Sequence, residues 1–215
     1  MSIRVGDLVY DARVKRFRYP EGTFATDAAV KYQTNKFINS KKSELIGLAA
    51  QIRSNPRDQA LQSKAASLLR DIHIAQASLA SGGPQNMFAN DYLIVARILR
   101  SQYGMSDNVP SPYGLKYLFN DIASGKNSDA QLAQRLTMYG ESGKVSYFAV
   151  ELGKKTQQGY LFARRHLSPA ENCKECIDYE GWGWVGINDL ILPTQKCSCK
   201  SNCKCTVEYS HGPDF

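Results

Sequence analysis

The sequence predicts a mainly α protein: a helical body with an extended N-terminal arm and a small cysteine-rich, zinc-knuckle-like C-terminal domain. Three observations predict it. Between Ser40 and Arg165 apolar residues recur every three or four positions, the period of a helix face. Before Ser40 no such period holds, and basic residues, Pro20 and Gly22 interrupt the chain. After Arg165 come all six cysteines of the 215 residues.

Residues 1–39 read as the arm. Arg13, Lys15, Arg16 and Arg18 cluster in it, as a solvated face or as a contact for phosphate or a partner. Its apolar residues, among them Ile3, Val5, Leu8, Phe17, Phe24 and Phe37, are too many for a solvated linker, so the arm is expected to bury itself on a partner. From Ser40 to Arg53 a helix carries Leu45, Ile46, Leu48, Ala49 and Ile52 on one side and stops at Ser54, Asn55 and Pro56. Asn55 can cap the next helix, with Pro56 in its first turn. That long helix carries one apolar seam, Leu61, Ala65, Leu68, Ile72, Ala75 and Leu79, and ends at Ser81 to Pro84. His73 beside the seam reads as structural or exposed rather than as a ligand, because partners for it are scarce.

A third helix is expected from Gln85 to Tyr103, burying Phe88, Tyr92, Val95, Ile98 and Leu99. The loop MSDNVPSPYG then separates a helical region 40–104 from a second, 112–165. In the second, Leu115, Leu118, Phe119 and Ile122 mark one helix, and Ser128 caps another with Leu132, Leu136 and Tyr139. A last helix from Ser142 to Arg165, with Gly153 and Gly159 as kink points, delivers the chain to the cysteine-rich domain, 166–209, and a tail, 210–215.

In that domain Cys173-x-x-Cys176 is followed by Cys197, Cys199, Cys203 and Cys205. Two cysteine-bearing turns can present four thiolates to a tetrahedral zinc ion, a structural and closed site. Cys173 and Cys176 form one ligand pair and Cys203 with Cys205 the preferred second pair, with Cys199 as substitute. Cys203 and Cys205 share a face of an extended segment, as do Cys197 and Cys199. Six thiols leave two over, so a second site or a disulfide between the leftovers stays open. Disulfides throughout and redox thiols are the competing readings; the start MSIRVGDLVYDARVK carries no apolar signal-peptide core, which favours zinc. His166 and His211 are poor ligand candidates by their distance from the cysteines. Tyr179, Trp182, Trp184, Ile187, Leu190, Ile191, Leu192 and Pro193 lie between the cysteine groups and are expected to form the domain's miniature core. A stacking platform for bases is the functional alternative for the tryptophans.

Arg164, Arg165, Leu167, Cys173, Cys176, Leu192, Pro193, Cys199, Asn202, Cys203, Cys205 and Tyr209, in this order, resemble the C-terminal signature of the tailed-phage minor head proteins, the Mu-type head morphogenesis family. The resemblance covers about residues 112–209. Lys204 stands where the family has arginine, Leu192-Pro193-Thr194 where it often has a Pro-Gly turn, and Cys197 has no firm counterpart. The resemblance implies a virion component of the head or neck, assembled in the host cytoplasm. It would sit at the portal vertex or inner capsid wall, or as a head-to-tail adaptor, acting in head assembly or genome packaging and delivery. Its implied partners are the portal protein, the major capsid protein, further copies of itself and packaged DNA.

Composition fits such a role. The net charge of +7 and a pI near 9.1 suit an acidic neighbour or a nucleic acid. The mean hydropathy is negative and no apolar run reaches the roughly eighteen residues of a membrane helix, so no membrane partner is expected. The chain carries no Walker-type phosphate loop, nucleophile elbow or HExxH pair, and only three histidines, which predicts a non-enzyme. Lys174, Lys196, Lys200 and Lys204 interleave with the cysteines, beside the tryptophans in the chain. The alternative function is therefore a zinc-containing nucleic-acid-binding module. A thiol redox enzyme on Cys173 and Cys176 is disfavoured, because no thioredoxin-like strand and helix order surrounds them.

Overall fold

The apolar seam of the long helix becomes the axis of the molecule. The computed structural model describes residues 4–106, 109–110, 114–169 and 171–212. The protein is mainly helical, with short strands toward both ends and a cysteine-rich unit near the C-terminus.

The expected extended arm is corrected. Strands β1 (Arg4–Val5), β2 (Leu8–Asp11) and β3 (Arg16–Arg18) form an antiparallel meander. Val5, Leu8 and Phe17 bury against Ala25 and Val30, so this segment makes its own small core. Helix α1 (Asp27–Gly47) begins well before Ser40, capped by the Thr26 hydroxyl, which accepts from the Ala29 amide at 3.1 Å. Its buried stripe is Val30, Thr34, Ile38 and Leu45. With a threonine in the stripe and lysines around it, the helical period is faint in the sequence.

Helix α2 (Ala49–Ser54) is short, and α3 (Gln59–Ala80) follows it. Asp58, not Asn55, caps α3, its carboxylate accepting from the Ala60 and Leu61 amides at 2.7 and 3.4 Å. Ala65, Leu68, Ile72 and Ala75 of the seam are buried as expected. The helix also buries a second face, Leu69 and Ala77, because α1, α4, α5, α6 and α7 all pack on it. After a 3-10 turn at Pro84–Asn86 comes α4 (Ala89–Gln102), which buries Val95 and Leu99. Phe88 and Tyr92, expected inside, are 64% and 46% exposed. Phe88 is the N-cap residue, outside the helix proper, and the Lys154 ammonium lies 4.1 Å from its ring centroid.

Strands β4 (Met105–Ser106) and β5 (Val109–Pro110) pair across the loop expected to be a domain boundary. Helices α5 (Leu115–Ala123) and α6 (Asp129–Glu141) follow, the latter with the expected Ser128 capping box. The apolar core does not divide at the loop: Leu115, Leu118, Phe119, Leu132 and Leu136 join Ile38, Leu45, Leu68 and Ile72 in one cluster. The two helical regions are one body. Helix α7 (Lys144–Gln157) starts against α3, where a side chain on Gly143 would collide with Ile72 at 2.7 Å. It ends before the expected Arg165, because Gly159 turns the chain at φ +83°.

The chain then enters a three-stranded antiparallel sheet of β6 (Phe162–His166), β7 (Val185–Gly186) and β8 (Thr206–Ser210), ordered β7-β6-β8, with α8 (Lys174–Gly181) between β6 and β7. A 3-10 turn, Lys200–Asn202, packs against α6. The Tyr209 hydroxyl donates to Glu151 of α7 at 3.2 Å, which ties the sheet to the helical body. No helix among the described residues is long and apolar enough to cross a membrane.

His73 is structural, fully buried between α4 and α7. Its Nδ1 accepts from the Ser146 hydroxyl at 2.7 Å, which leaves Nε2–H to donate to Gln102 Oε1 at 3.1 Å. Burial, opposed by the Gln102 hydrogen bond, pushes its pKa down from 6.5 to about 4. The unfolded chain therefore binds this proton first. Stability is full above pH 6.5 and falls as pH drops from 6.5 to about 4, by about 3 kcal/mol in total. Urea unfolding between pH 7.5 and 4 checks this; the loss is expected to shrink in His73→Gln, and an unchanged pH profile in that variant refutes it.

Candidate metal centre

Strand β6 sets one wall of the site. Its side chains alternate, Ala163 and Arg165 inward, Phe162, Arg164 and His166 outward. On the outer face Arg164 and His166 both bond Glu208 of the paired strand, at 2.7 and 2.6 Å. On the inner face the guanidinium of Arg165 is only 1% exposed. Its Nη2 donates to the Sγ of Cys176 at 3.2 Å and of Cys203 at 3.4 Å, and its Nη1 to the Ile191 carbonyl at 3.4 Å.

The second wall is α8. Cys173 is its N-cap residue and Cys176 lies in its first turn, so both sulfurs sit at the positive end of the helix. The third is the loop after β7. Tyr179 of α8 donates to the Lys196 carbonyl at 2.8 Å, and Ser198 donates its hydroxyl to Glu175 at 2.8 Å. These contacts aim Cys197 and Cys199 at the start of α8. The chain then turns through Lys200–Asn202 and brings in Cys203 and Cys205 just before β8.

The six sulfurs form two overlapping groups. Cys173, Cys176, Cys197 and Cys199 lie within 4.8 Å of one another, and so do Cys176, Cys203 and Cys205. Nearest separations are 3.5 Å for Cys173–Cys199, Cys176–Cys199 and Cys197–Cys199, and 3.7 Å for Cys176–Cys203. A zinc tetrahedron with Zn–S bonds of ~2.3 Å has S–S edges of about 3.8 Å, so the donor set fits such an ion in size and softness. The group can bind a metal. The sulfurs are unbonded to one another, well beyond the ~2.05 Å of a disulfide.

The electrostatics agree. Burial pushes the Cys173 thiol up, but the Cys199 and Cys176 amides that bond it outweigh this and hold it at about 7. Burial likewise opposes, and the Cys205 and Thr194 amides overcome, at Cys203, also about 7. Cys176 and Cys199 are pushed up, first by burial and then by neighbouring thiols, although at Cys199 the hydrogen bond with Cys176 opposes the rise. Sulfurs packed this closely cannot all ionise without a cation among them.

Of the expected ligands, Cys173, Cys176, Cys199, Cys203 and Cys205 all reach the cluster. The compact four-thiol group takes in Cys197, which the expected set left out, while the preferred second pair, Cys203 and Cys205, groups with Cys176. The C-x-C spacing of Cys197 and Cys199 carried that signal. Arg165 was not expected at the site, yet its inward position in β6 puts it under the sulfurs. His166 and His211 are not in the cluster; His211 stacks on Tyr160 and bonds the Gly159 carbonyl at 3.0 Å. The expected aromatic core is corrected in part. Ile187, Leu192 and Pro193 are buried, but Trp182 is 52% exposed and Trp184 is covered by the Arg164 guanidinium. Sulfur and Arg165 occupy the interior that the tryptophans were expected to fill.

The basic residues split into two places. Arg13 and Lys15 lie in the turn of the β2–β3 hairpin; Arg16 and Arg18 stack on Phe24 at 4.6 and 4.3 Å, and Arg18 pairs with Asp11 at 3.0 Å. Lys196, Lys200 and Lys204 are exposed on the cysteine loops.

The loop is held in a costly backbone. Thr194, Lys196 and Lys200 have φ of +74°, +40° and +45°, a left-handed conformation that costs L residues about 1–2 kcal/mol each. Thr194 also buries a hydroxyl without a hydrogen-bond partner. Thr194→Gly is expected to raise stability by about 1 kcal/mol, strain relief outweighing the entropy of glycine. Denaturant unfolding checks it, and a loss of stability refutes the account.

No family model, curated protein or solved structure matches the chain.

Proposed function

We propose that the protein is a non-enzymatic structural component of a tailed-phage virion, a minor head protein whose C-terminal docking unit is stapled by zinc. One observation supports this reading above others. Arg165, Cys173, Cys176, Cys199 and Cys203, five of the twelve residues that carry the resemblance to the minor head signature, are spread over about forty positions yet meet in one sulfur cluster. Such convergence is what a metal-site motif, rather than a scatter of surface matches, would produce. A zinc ion at this site serves rigidity: the thiols are largely buried, and among the described residues no His or carboxylate joins the two thiol groups as a base for a bound water. The portal and major capsid proteins are the partners, with the protein in repeated copies at the portal vertex or as a neck adaptor, facing packaged DNA with its basic surface.

Heads, tails and whole particles of the phage encoding the chain, separated on a density gradient, test this by mass spectrometry. The protein is expected in heads at a fixed copy number and in association with portal or capsid protein. Its absence from particles refutes the assignment. Lys196, Lys200 and Lys204, exposed on the cysteine loops, together with the half-exposed Trp182, favour a second reading, a zinc-stapled nucleic-acid module. For that reading DNA binding must weaken steeply with salt, and indifference to DNA removes it.

A further inference from the structure

We infer that the six cysteines hold two zinc ions in a single cluster, with Cys176 and Cys199 as bridging thiolates. The inference rests on the zinc-staple reading and goes beyond it in metal count and connectivity.

Coordination arithmetic comes first. Two four-coordinate ions need eight Zn–S bonds, and six thiolates supply eight only when two of them are shared. Cys176 belongs to both sulfur groups, which makes it the first shared ligand. The group of Cys176, Cys203 and Cys205 lacks a fourth sulfur. Of the remaining thiols, Cys199 is the most central: it lies 3.5 Å from each of Cys173, Cys176 and Cys197, directly beside the shared Cys176. Movement of Cys199 toward Cys203 and Cys205 as the second ion binds closes the second tetrahedron. Cys176 and Cys199, 3.5 Å apart, then form the shared edge, with Cys173 and Cys197 terminal on one ion and Cys203 and Cys205 terminal on the other.

Burial and charge favour this over a single ion. One zinc in the four-thiol group leaves Cys203 and Cys205, each 2% exposed, without a ligand role beside a buried guanidinium. Arg165 donates to the shared Cys176 and to Cys203, one sulfur common to both ions and one terminal on the second. Two dications against six thiolates leave a dianion, which Arg165 reduces by one charge. Binding displaces the six thiol protons to solvent; no sulfur is oxidised.

The test uses the full chain, purified with reductant. Metal is counted by inductively coupled plasma and native mass spectrometry, and the sample exchanged with cadmium-113 is read by NMR. Two zinc ions per chain and two cadmium resonances split by coupling through shared sulfur are expected. Two ions with uncoupled resonances overturn the bridging. One ion per chain overturns the second site and leaves the staple standing. No metal, with the thiols intact, overturns both the cluster and the staple.

Discussion

Cys176→Ser is expected to unfold residues 166–209 while leaving the helical body in place. Cys176 is 1% exposed and is the one sulfur common to both thiol groups. A serine hydroxyl is a poor zinc ligand, so the substitution removes a bond from each group at once. Structural zinc contributes an apparent ~10–16 kcal/mol to domains that lack a core of their own. This unit is such a case: its interior is sulfur, Arg165 and a few apolar residues such as Ala163, Ile187 and Leu192. The helical body draws on none of these, since its core runs through α1, α3, α5 and α6. Limited proteolysis is expected to cut the variant within residues 166–209, with far-ultraviolet helix signal retained. A strong chelator is expected to do the same to the unsubstituted protein. A variant that resists protease and keeps its metal sinks the staple.

What the sequence made legible follows from how each signal is carried. The long helix α3 could be read because its seam is all apolar, and the cap of α6 because Ser128 and Gln131 stand at the capping-box spacing. The start of α1 could not, because Thr34 sits in its buried stripe and bonds the Val30 carbonyl back within the helix. Strands of two to four residues in the N-terminal meander are too short to show a period. That the cysteines form a group able to hold a metal was legible by spacing alone. Their partition was not: which sulfurs come together depends on the turns at Thr194 to Lys200, whose left-handed residues carry no glycine to announce them. Arg165 was hidden for a related reason. An Arg-Arg pair in a basic chain reads as surface, and only the alternation of β6 sends one outward to Glu208 and the other inward to sulfur.

That inward arginine carries the second large effect. Arg165→Met, which keeps much of the volume and removes the charge, is expected to weaken zinc binding about 10–100-fold, the usual cost of losing a partner of the ligands. It is also expected to destabilise the C-terminal unit by about 3–5 kcal/mol, as when one member of a buried charged pair is removed. The physical reason is charge. Arg165 is the one cation donating to the buried sulfurs among the hydrogen bonds of the described residues, and without it the thiolates face one another and the metal with one more uncompensated negative charge. Arg165→Lys separates charge from shape. Lysine restores the cation but not the planar fork that reaches Cys176, Cys203 and the Ile191 carbonyl together, so its zinc affinity is expected between that of the methionine variant and the native protein. Competition with a chromogenic chelator reads all three. Equal affinities would mean that the guanidinium only fills space against neutral thiols. A loss in the methionine variant that lysine repairs in part would mean that the sulfurs around it are ionised, as metal binding requires.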